Sequence, residues 1–564
     1  METTVHKRWM IYVVVLVAVV RFINLGFLDL QRWDESLHAV RTLTIIRFGD
    51  WLDQSPHHLQ IAGGSTGVYY AAHPPLYSWC TAFLYYTIGI SEYSSRFVSA
   101  VAGALTILLV YLMGSHFFSR TVGFYSSLFL GLTPFYTFMT RQGQYDVLLT
   151  FWMTLALYTW LRGLTAGANY HRWSIITGIA IGLGLMTKLF VAGGVCIILL
   201  FSILLLSSPE RKMYVKEFGK VVFIAAIIAL PWYIMMGLKY NRGSVLSIFA
   251  GTELVKHIVS GSEGTPKQLG VLYYFNQLLI IMPLVIPPAC IALWSAWKKR
   301  REPDRLTRWL HVILAFWILF FFSGFSILST KFAWWLIPIF PPLVLLAGYG
   351  LEQLTSGSLS SGCQRLIIGA IGLLAIWAAN FDFRQDIKMI FIHNGFHFPS
   401  SGVPVIVECG ILIAILWLFS VYPHKISRLP TLIYIPLALL CVVNIFYLDR
   451  IQYKDGAKEL ADVIQSQKLK NIVVVGNGDN PQLSYYLDGI DLGWHEGYTY
   501  KRIELWNGTD SVKSDIGKIR SIPCVIIIEK DEIQKGLYAS EQQVLPKPLE
   551  KILDTKEYTA YIWQ

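Results

Sequence analysis

Runs of about 20 apolar residues, each long enough to cross a hydrocarbon core, recur along this chain and constrain its fold more than any other feature. Val221–Gly237, VVFIAAIIALPWYIMMG, is one of them. Of the 564 residues, 54% are hydrophobic and 15% charged, against about 25% charged in a soluble globular chain. These runs predict an all-α polytopic membrane bundle of about 13 spans. They lie near 10–28, 95–117, 121–139, 145–163, 172–187, 189–206, 220–238, 271–296, 309–328, 332–350, 364–380, 404–421 and 429–447. His6, Lys7 and Arg8 precede the first run as in a signal peptide. The bulky Phe22-Ile23-Asn24-Leu25 offers no cleavage site, so the run reads as a retained helix.

Loop charge sets the orientation. Ser208–Lys220 and Lys298–Arg308 are short and rich in Lys and Arg, which places them in the cytoplasm with Leu161–Arg172 and Val421–Arg428. Residues 74–90, PPLYSWCTAFLYYTIGI, are apolar enough to cross. If they did, Ser208–Lys220 would fall outside, so they read as an interfacial or re-entrant helix opening at Pro74-Pro75. The N-terminus is then cytoplasmic and the C-terminal region is not. The net charge of +11 follows from these topology signals and from contacts with membrane lipids. No basic stretch interleaved with aromatics marks a nucleic-acid partner. The seven cysteines, among them Cys80, Cys196, Cys290, Cys409 and Cys441 in apolar segments, form no CxxC and suggest no disulfide framework.

Character changes near residue 449. Lys458–Lys468 is helix-like, and NIVVVGNG at 471–478 and CVIIIEK at 524–530 read as buried strands. Helices alternating with strands predict a small soluble α/β domain over 449–564, beside a membrane domain over 1–448. GNGD at 476–479 lacks the full GxGxxG pattern and, like the sequon Asn507-Gly508-Thr509, reads as a loop.

Chemistry-bearing residues collect on the expected outer face. In the first outer loop, where amphipathic helices are expected over 29–90, Trp33, Leu37, Val40 and Phe48 recur at helical spacing and predict a helix lying on the membrane. Asp34, His38 and Arg41 share its opposite face. A carboxylate there is placed to act as a base or to orient an acceptor, although Asp34 and Glu35 also suit a helix N-terminus. RQGQYD at 141–146 puts Arg141 and Asp146 at the same depth, with helix capping the plainer use of Asp146. Lys188, Arg242, Lys256 and Lys331 sit at or near ends of apolar runs. Singly such residues snorkel, but opposite two acids they fit a site for an anionic group such as phosphate. Glu253 and His257 stand at i, i+4 and supply two of the ligands a divalent metal would need.

In this order along the chain, W-D-E at 33–35, A-H-P-P-L-Y at 72–77, R-Q-G-Q-Y-D at 141–146, G-L-G-L-M-T-K at 182–188 and L-S-T-K-F-A-W-W-L-I-P-I-F-P-P at 328–342 resemble the bacterial glycosyltransferases of the protein-mannosyltransferase type in the GT-C superfamily. Among these the chain looks most like the 4-amino-4-deoxy-L-arabinose transferases of lipid A, over about residues 5–350. The resemblance implies an inverting enzyme at the outer face of a bacterial inner membrane. It would move a sugar from a polyprenyl-phosphate (undecaprenyl-phosphate) donor to a lipid or glycan acceptor, lipid A first. Asp34 matches the catalytic aspartate, Asp146 the second carboxylate, and Lys331 the lysine near the donor phosphate. Arg141, Lys188 and Arg242 are further candidates for that phosphate, and Glu35, His38, His73 and Tyr145 for contacts with substrate. Where the aminoarabinose transferases carry Glu-Lys before Pro, this chain has Ala72-His73. That Glu is linked to metal in the family, so a divalent metal stays open here. The alternatives are a same-fold transferase acting on protein or another glycolipid, and a lipid or glycan transporter. Transporters place ionisable groups at the midplane, often in repeated halves, and neither is found in this sequence.

Overall fold

The computed structural model describes residues 2–31, 34–54, 74–165, 169–239, 270, 272–298 and 305–356, and in the C-terminal part 456–467, 470–476, 481–488, 499–504, 524–529, 550–555 and 558–563. A helical membrane bundle carries a small sheet domain. The bundle helices are α1 (Glu2–Val19), α2 (Asp34–Phe48), α3 (Leu76–Ile88), α4 (Glu92–Phe117), α5 (Arg120–Leu132), α6 (Pro134–Met139), α7 (Tyr145–Thr165), α8 (Tyr170–Leu185), α9 (Leu189–Leu204), α10 (Ser208–Lys239), α11 (Tyr273–Ile281), α12 (Ile286–Lys298), α13 (Arg305–Ile327) and α14 (Phe340–Thr355). Five of the spans among the described residues are long and apolar enough to cross a membrane: Glu92–Phe117, Tyr145–Thr165, Ser208–Lys239, Thr307–Ile327 and Ala333–Thr355. α11 and α12 make a sixth if taken as one bent span. The spans expected at 364–380, 404–421 and 429–447 lie outside the described residues.

One continuous core joins most of these helices, with Trp160, Trp317, Tyr136, Phe129 and Phe340 among its fully buried side chains. The indoles spend their N–H groups inside it: Trp160 Nε1 donates to Ser202 Oγ at 2.8 Å and Trp317 Nε1 to the Pro338 carbonyl at 2.9 Å. α4 and α5 meet through Gly114 and Gly123, where a Cβ on Gly114 would stand 2.4 Å from the Gly123 Cα. Small residues let helix backbones approach this closely.

The helices depart from the apolar runs where local chemistry intervenes. The basic segment 208–220, expected as a loop, is the first part of α10. Ser207 and Glu210 form its cap, the Glu210 carboxylate accepting from the Ser207 backbone N–H at 3.0 Å, so nothing interrupts the helix before the apolar stretch. The expected span at 271–296 is broken by 106° between α11 and α12. Pro287 and Pro288 open the second piece, lacking N–H groups and disfavouring helix before them. The run at 332–350 starts as a 3-10 turn, Ala333–Ile339, before α14. α3 has 13 residues, a rise of roughly 20 Å that falls short of a hydrocarbon core of about 30 Å.

The largest correction concerns α2. It does not lie exposed on a membrane surface: Glu35, Ser36, His38 and every residue from Ala39 to Ile45 are buried. α3 packs on one side of it and the C-terminal domain on another. That domain comprises α15 (Ala457–Gln467), β1 (Asn471–Gly476), α16 (Pro481–Tyr486), β2 (Thr499–Glu504), β3 (Cys524–Glu529), β4 (Glu550–Asp554) and β5 (Tyr558–Trp563). The strand order is β2-β1-β3-β5-β4, with β1 parallel to β2 and β3, and β5 antiparallel to β3 and β4. β3 is buried along its whole length, as its unbroken CVIII run requires of a central strand.

Candidate active site

Two buried arginines shape the chain that leads into α2. Arg141 of the RQGQYD turn donates to the carbonyls of Arg21 at 3.1 Å, Ile23 at 2.5 Å and Asn24 at 3.4 Å. Arg96, one turn into α4, donates to those of Leu25 at 3.0 Å, Leu28 at 2.8 Å and Asp29 at 2.8 Å. A guanidinium suits this work because its planar fork offers five donors. Arg96 also grips Glu35 through two bonds, Nε to Oε1 at 2.7 Å and Nη2 to Oε2 at 2.9 Å. Glu35 accepts two further bonds, from the backbone N–H of Gly143 at 2.6 Å and of Gln31 at 2.7 Å. The loop before α2, the face of α4 and the RQGQYD turn are thereby locked together. Gly143 is needed for that closeness, since a Cβ there would stand 3.1 Å from Glu35 Cγ and from the Ser95 carbonyl.

These contacts bear on two expectations. Glu35, taken as a substrate contact, has both carboxylate oxygens committed to the protein. Arg141, taken for the donor phosphate, spends its guanidinium on the backbone after the first span.

The locked segments deliver a cluster of charges to one place. Asp146, in the first turn of α7, meets Lys188 Nζ at 3.1 Å, and Asp146 is buried. Lys188 lies at the start of α9, its ammonium 4.9 Å from the ring centre of Tyr145 and 5.6 Å from that of Trp335. Such cation–π faces supplement the carboxylate in holding the charge. Tyr145 in turn meets the His38 ring edge-on at 4.5 Å, and Arg41 Nη1 stands 3.4 Å from His38 Nδ1. Because Arg can only donate, Nδ1 accepts and the His38 proton sits on Nε2. Burial, then the charges of Arg41 and Lys188, hold the imidazole well below its usual range, so His38 is neutral at physiological pH.

Asp34 opens α2 within the field of the same groups. Its pKa rises from the ordinary 3.8 to about 6, first through desolvation and then through the negative charge of Asp146, against the opposing pull of Lys188 and Arg41. Two carboxylates therefore share the site, and one of them is paired with Lys188. Asp146 is neutralised by its lysine, while Asp34 is poised to exchange a proton near neutral pH.

The structure thus brings together Asp34, His38, Tyr145, Asp146 and Lys188. Lys331 stands on the neighbouring segment, where its Nζ donates to the Leu328 carbonyl and desolvation lowers its pKa. It shares that segment with Trp335, whose ring faces Lys188. His73, Arg242, Lys256, Glu253 and His257 lie outside the described residues. Among the described residues no three His, Cys, Asp or Glu side chains are grouped as a metal site would need. Arg41, noted in the sequence only for its helical face, joins the cluster as a buried cation. In the sequence, Arg96 shows only as an ionisable residue inside an apolar run, which demands a partner without naming it.

Residues 72–235, which hold the RQGQYD turn, Asp146 and Lys188, match the dolichyl-phosphate-mannose-protein mannosyltransferase family model. Over these residues the chain is similar to that family. Its further likeness is to transferases of aminoarabinose. The undecaprenyl phosphate-alpha-4-amino-4-deoxy-L-arabinose arabinosyl transferase 2 of Proteus mirabilis is 28% identical over 359 residues, 61% of this chain and 60% of that one. The corresponding transferase of Pectobacterium atrosepticum is 26% identical over 356 residues, 61% of this chain and 59% of that one. The match spans about 60% of the length of these curated relatives. In fold, the chain is similar to the crystal structure of ArnT from Cupriavidus metallidurans bound to undecaprenyl phosphate, with a TM-score of 0.69 at 17% identity, covering 99% of this chain and 98% of that one.

Proposed function

We propose that the chain is a glycosyltransferase that takes a sugar from a polyprenyl-phosphate carrier and passes it, with inversion, to an envelope acceptor, lipid A first, at the outer face of the inner membrane. The observation that carries this reading is the placement of Asp34 beside the Asp146–Lys188 pair, in a chain whose matched family and relatives are named for such donors. Outside that membrane no nucleotide sugar is at hand, so a lipid must present the sugar.

Transfer breaks the bond between the anomeric carbon and the donor phosphate oxygen and forms one to an acceptor oxygen. Negative charge grows on the departing polyprenyl phosphate, and cations aimed at it lower the barrier. Lys331 is assigned to that phosphate, with Lys188 able to turn from Asp146 toward it. With a hydroxyl acceptor, Asp34 takes the proton, and a pKa near 6 leaves it ionised but still basic at neutral pH. With a phosphate acceptor no base is required, and Asp34 orients the acceptor.

The test is transfer in proteoliposomes, with a panel of undecaprenyl-phosphate sugars, lipid A as acceptor and mass spectrometry of the products. Transfer by the parent chain that is lost in folded Asp34→Asn is the expected result. No transfer from any donor to any acceptor would overturn the reading. Transfer to protein or another glycolipid in place of lipid A would move the acceptor and keep the reaction.

A further inference from the structure

The C-terminal domain does more than cap the bundle. Its helix α16 reaches the chain immediately before α2. Gln482 Nε2 donates to the Leu30 carbonyl at 2.6 Å, and the Leu30 N–H donates to Tyr486 Oη at 2.8 Å. One residue of the loop that leads into α2 is thus held on both of its backbone groups by side chains more than 450 positions away. Both holders are themselves held. Tyr558 Oη, from β5, donates to Gln482 Oε1 at 3.2 Å, and Tyr486 Oη donates to Glu92 Oε1 at 3.2 Å. Glu92, in the first turn of α4, also pairs with Lys458 of α15 at 2.8 Å. Around these bonds Leu30, Ala39, Val40, Leu43, Tyr85 and Tyr485 form one apolar cluster.

The restraint passes from Leu30 to Asp34 in two steps. Next in the chain, the Gln31 N–H donates to Glu35 and the Gln31 carbonyl accepts from the Ser36 N–H at 3.2 Å. Glu35 and Ser36 belong to the first turn of α2, which Asp34 opens.

We infer that Gln482 and Tyr486 are positioning residues for transfer: through Leu30 and Gln31 they fix the first turn of α2 and set where the Asp34 carboxylate stands. The inference rests on the reading of Asp34 under the proposed function. A misplacement of about 1 Å at a reacting group can cost a hundredfold in rate, so two bonds to this loop suffice to matter.

The experiment uses the full chain in proteoliposomes with undecaprenyl-phosphate 4-amino-4-deoxy-L-arabinose and lipid A. Tyr486→Phe removes one oxygen, Gln482→Met is close to isosteric, and the double variant removes both bonds. Asp554→Asn, on the exposed β4 edge, serves as the control. The expected result is a fall in kcat of about ten- to a hundredfold in the double variant with donor KM near the parent's. The acid limb of its pH profile should shift as Asp34 moves relative to Asp146, and hydrogen exchange should quicken at residues 28–36 alone. Parental kcat in the double variant would overturn the inference. So would equal losses in kcat and KM with exchange quickened throughout the domain, which is the mark of simple unfolding. Should the parent chain transfer nothing, the functional reading fails separately, and unchanged exchange at residues 28–36 would then overturn this one.

Discussion

Lys188 Nζ stands 3.1 Å from Asp146 Oδ1 and between the rings of Tyr145 and Trp335, so the cation at the centre of the site balances one carboxylate and biases the other. Asp34 feels both partners with opposite signs. Removing either one therefore moves the Asp34 pKa in a known direction.

If Asp34 acts as a base, kcat/KM for transfer falls as pH drops through about 6, because the acid limb reports the free enzyme's essential base. Asp146→Asn removes a charge that raises the Asp34 pKa and leaves Lys188 to lower it, so the limb moves to lower pH. Lys188→Met removes a charge that lowers it, and the limb moves to higher pH. A pH profile of transfer for the three proteins checks this. Shifts of the same sign in both variants would sink the electrostatic account.

Arg96 and Glu35 bear on folding. Their side chains are 4% and 0% exposed, and Arg96→Met would strand the carboxylate and three backbone carbonyls. Breaking a buried pair from one side costs about 3–5 kcal/mol. The measurement is the thermal midpoint in detergent, with a large drop expected for Arg96→Met. The exposed pair Lys551–Asp554, at 44% and 48% exposure, should move the midpoint little when either partner is replaced by Ala.

The RQGQYD turn is packed against Glu35 at Gly143. Gly143→Ala would push a methyl to 3.1 Å from Glu35 Cγ and the Ser95 carbonyl, with neither neighbour free to yield. Overpacking of this kind costs about 1–3 kcal/mol. Because Asp146 lies three residues on, turnover should fall further than the loss of folded protein explains. The check is kcat per folded molecule, and a value equal to the parent's would separate the turn from the chemistry.

Sequence patterning reveals what repeats and misses what is unique. Apolar runs located the helices around Glu92–Phe117, Tyr145–Thr165 and Thr307–Ile327, and the NIVVV and CVIII runs located two central strands. The period of 3.6 put Asp34, His38 and Arg41 on one face. It could not say that Val40, on the opposite face, would meet protein rather than lipid, because an apolar side chain suits both surroundings. The cover is Tyr485 and its neighbours, and no local pattern announces a partner that distant. The partners of Arg141 and Glu35 stay hidden for the same reason: a charge at the edge of an apolar run marks a need for a partner, while the identity of that partner, backbone carbonyls for one and Arg96 for the other, depends on tertiary approach.

Asp34 should also be a source of instability. Its pKa is raised in the folded chain from 3.8 to about 6, so between these values the folded state holds a proton that the unfolded state has released. By linkage, the protonated carboxyl's contribution to stability is fully present below about pH 4 and is lost as pH rises through about 6. A shift of this size corresponds to about 2–3 kcal/mol once the carboxyl is ionised. Asp34→Asn removes the charge without removing the bulk. The variant should melt above the parent at pH 7.5, and the difference should shrink toward zero as pH is lowered to about 4. Thermal midpoints at three or four pH values would check this, beside the loss of transfer expected of the same variant. A more stable, inactive Asp34→Asn is the trade expected when a carboxylate is held against its own desolvation for the sake of reactivity. A variant that melts below the parent at every pH would instead make Asp34 part of the scaffold that Arg96 and Glu35 build.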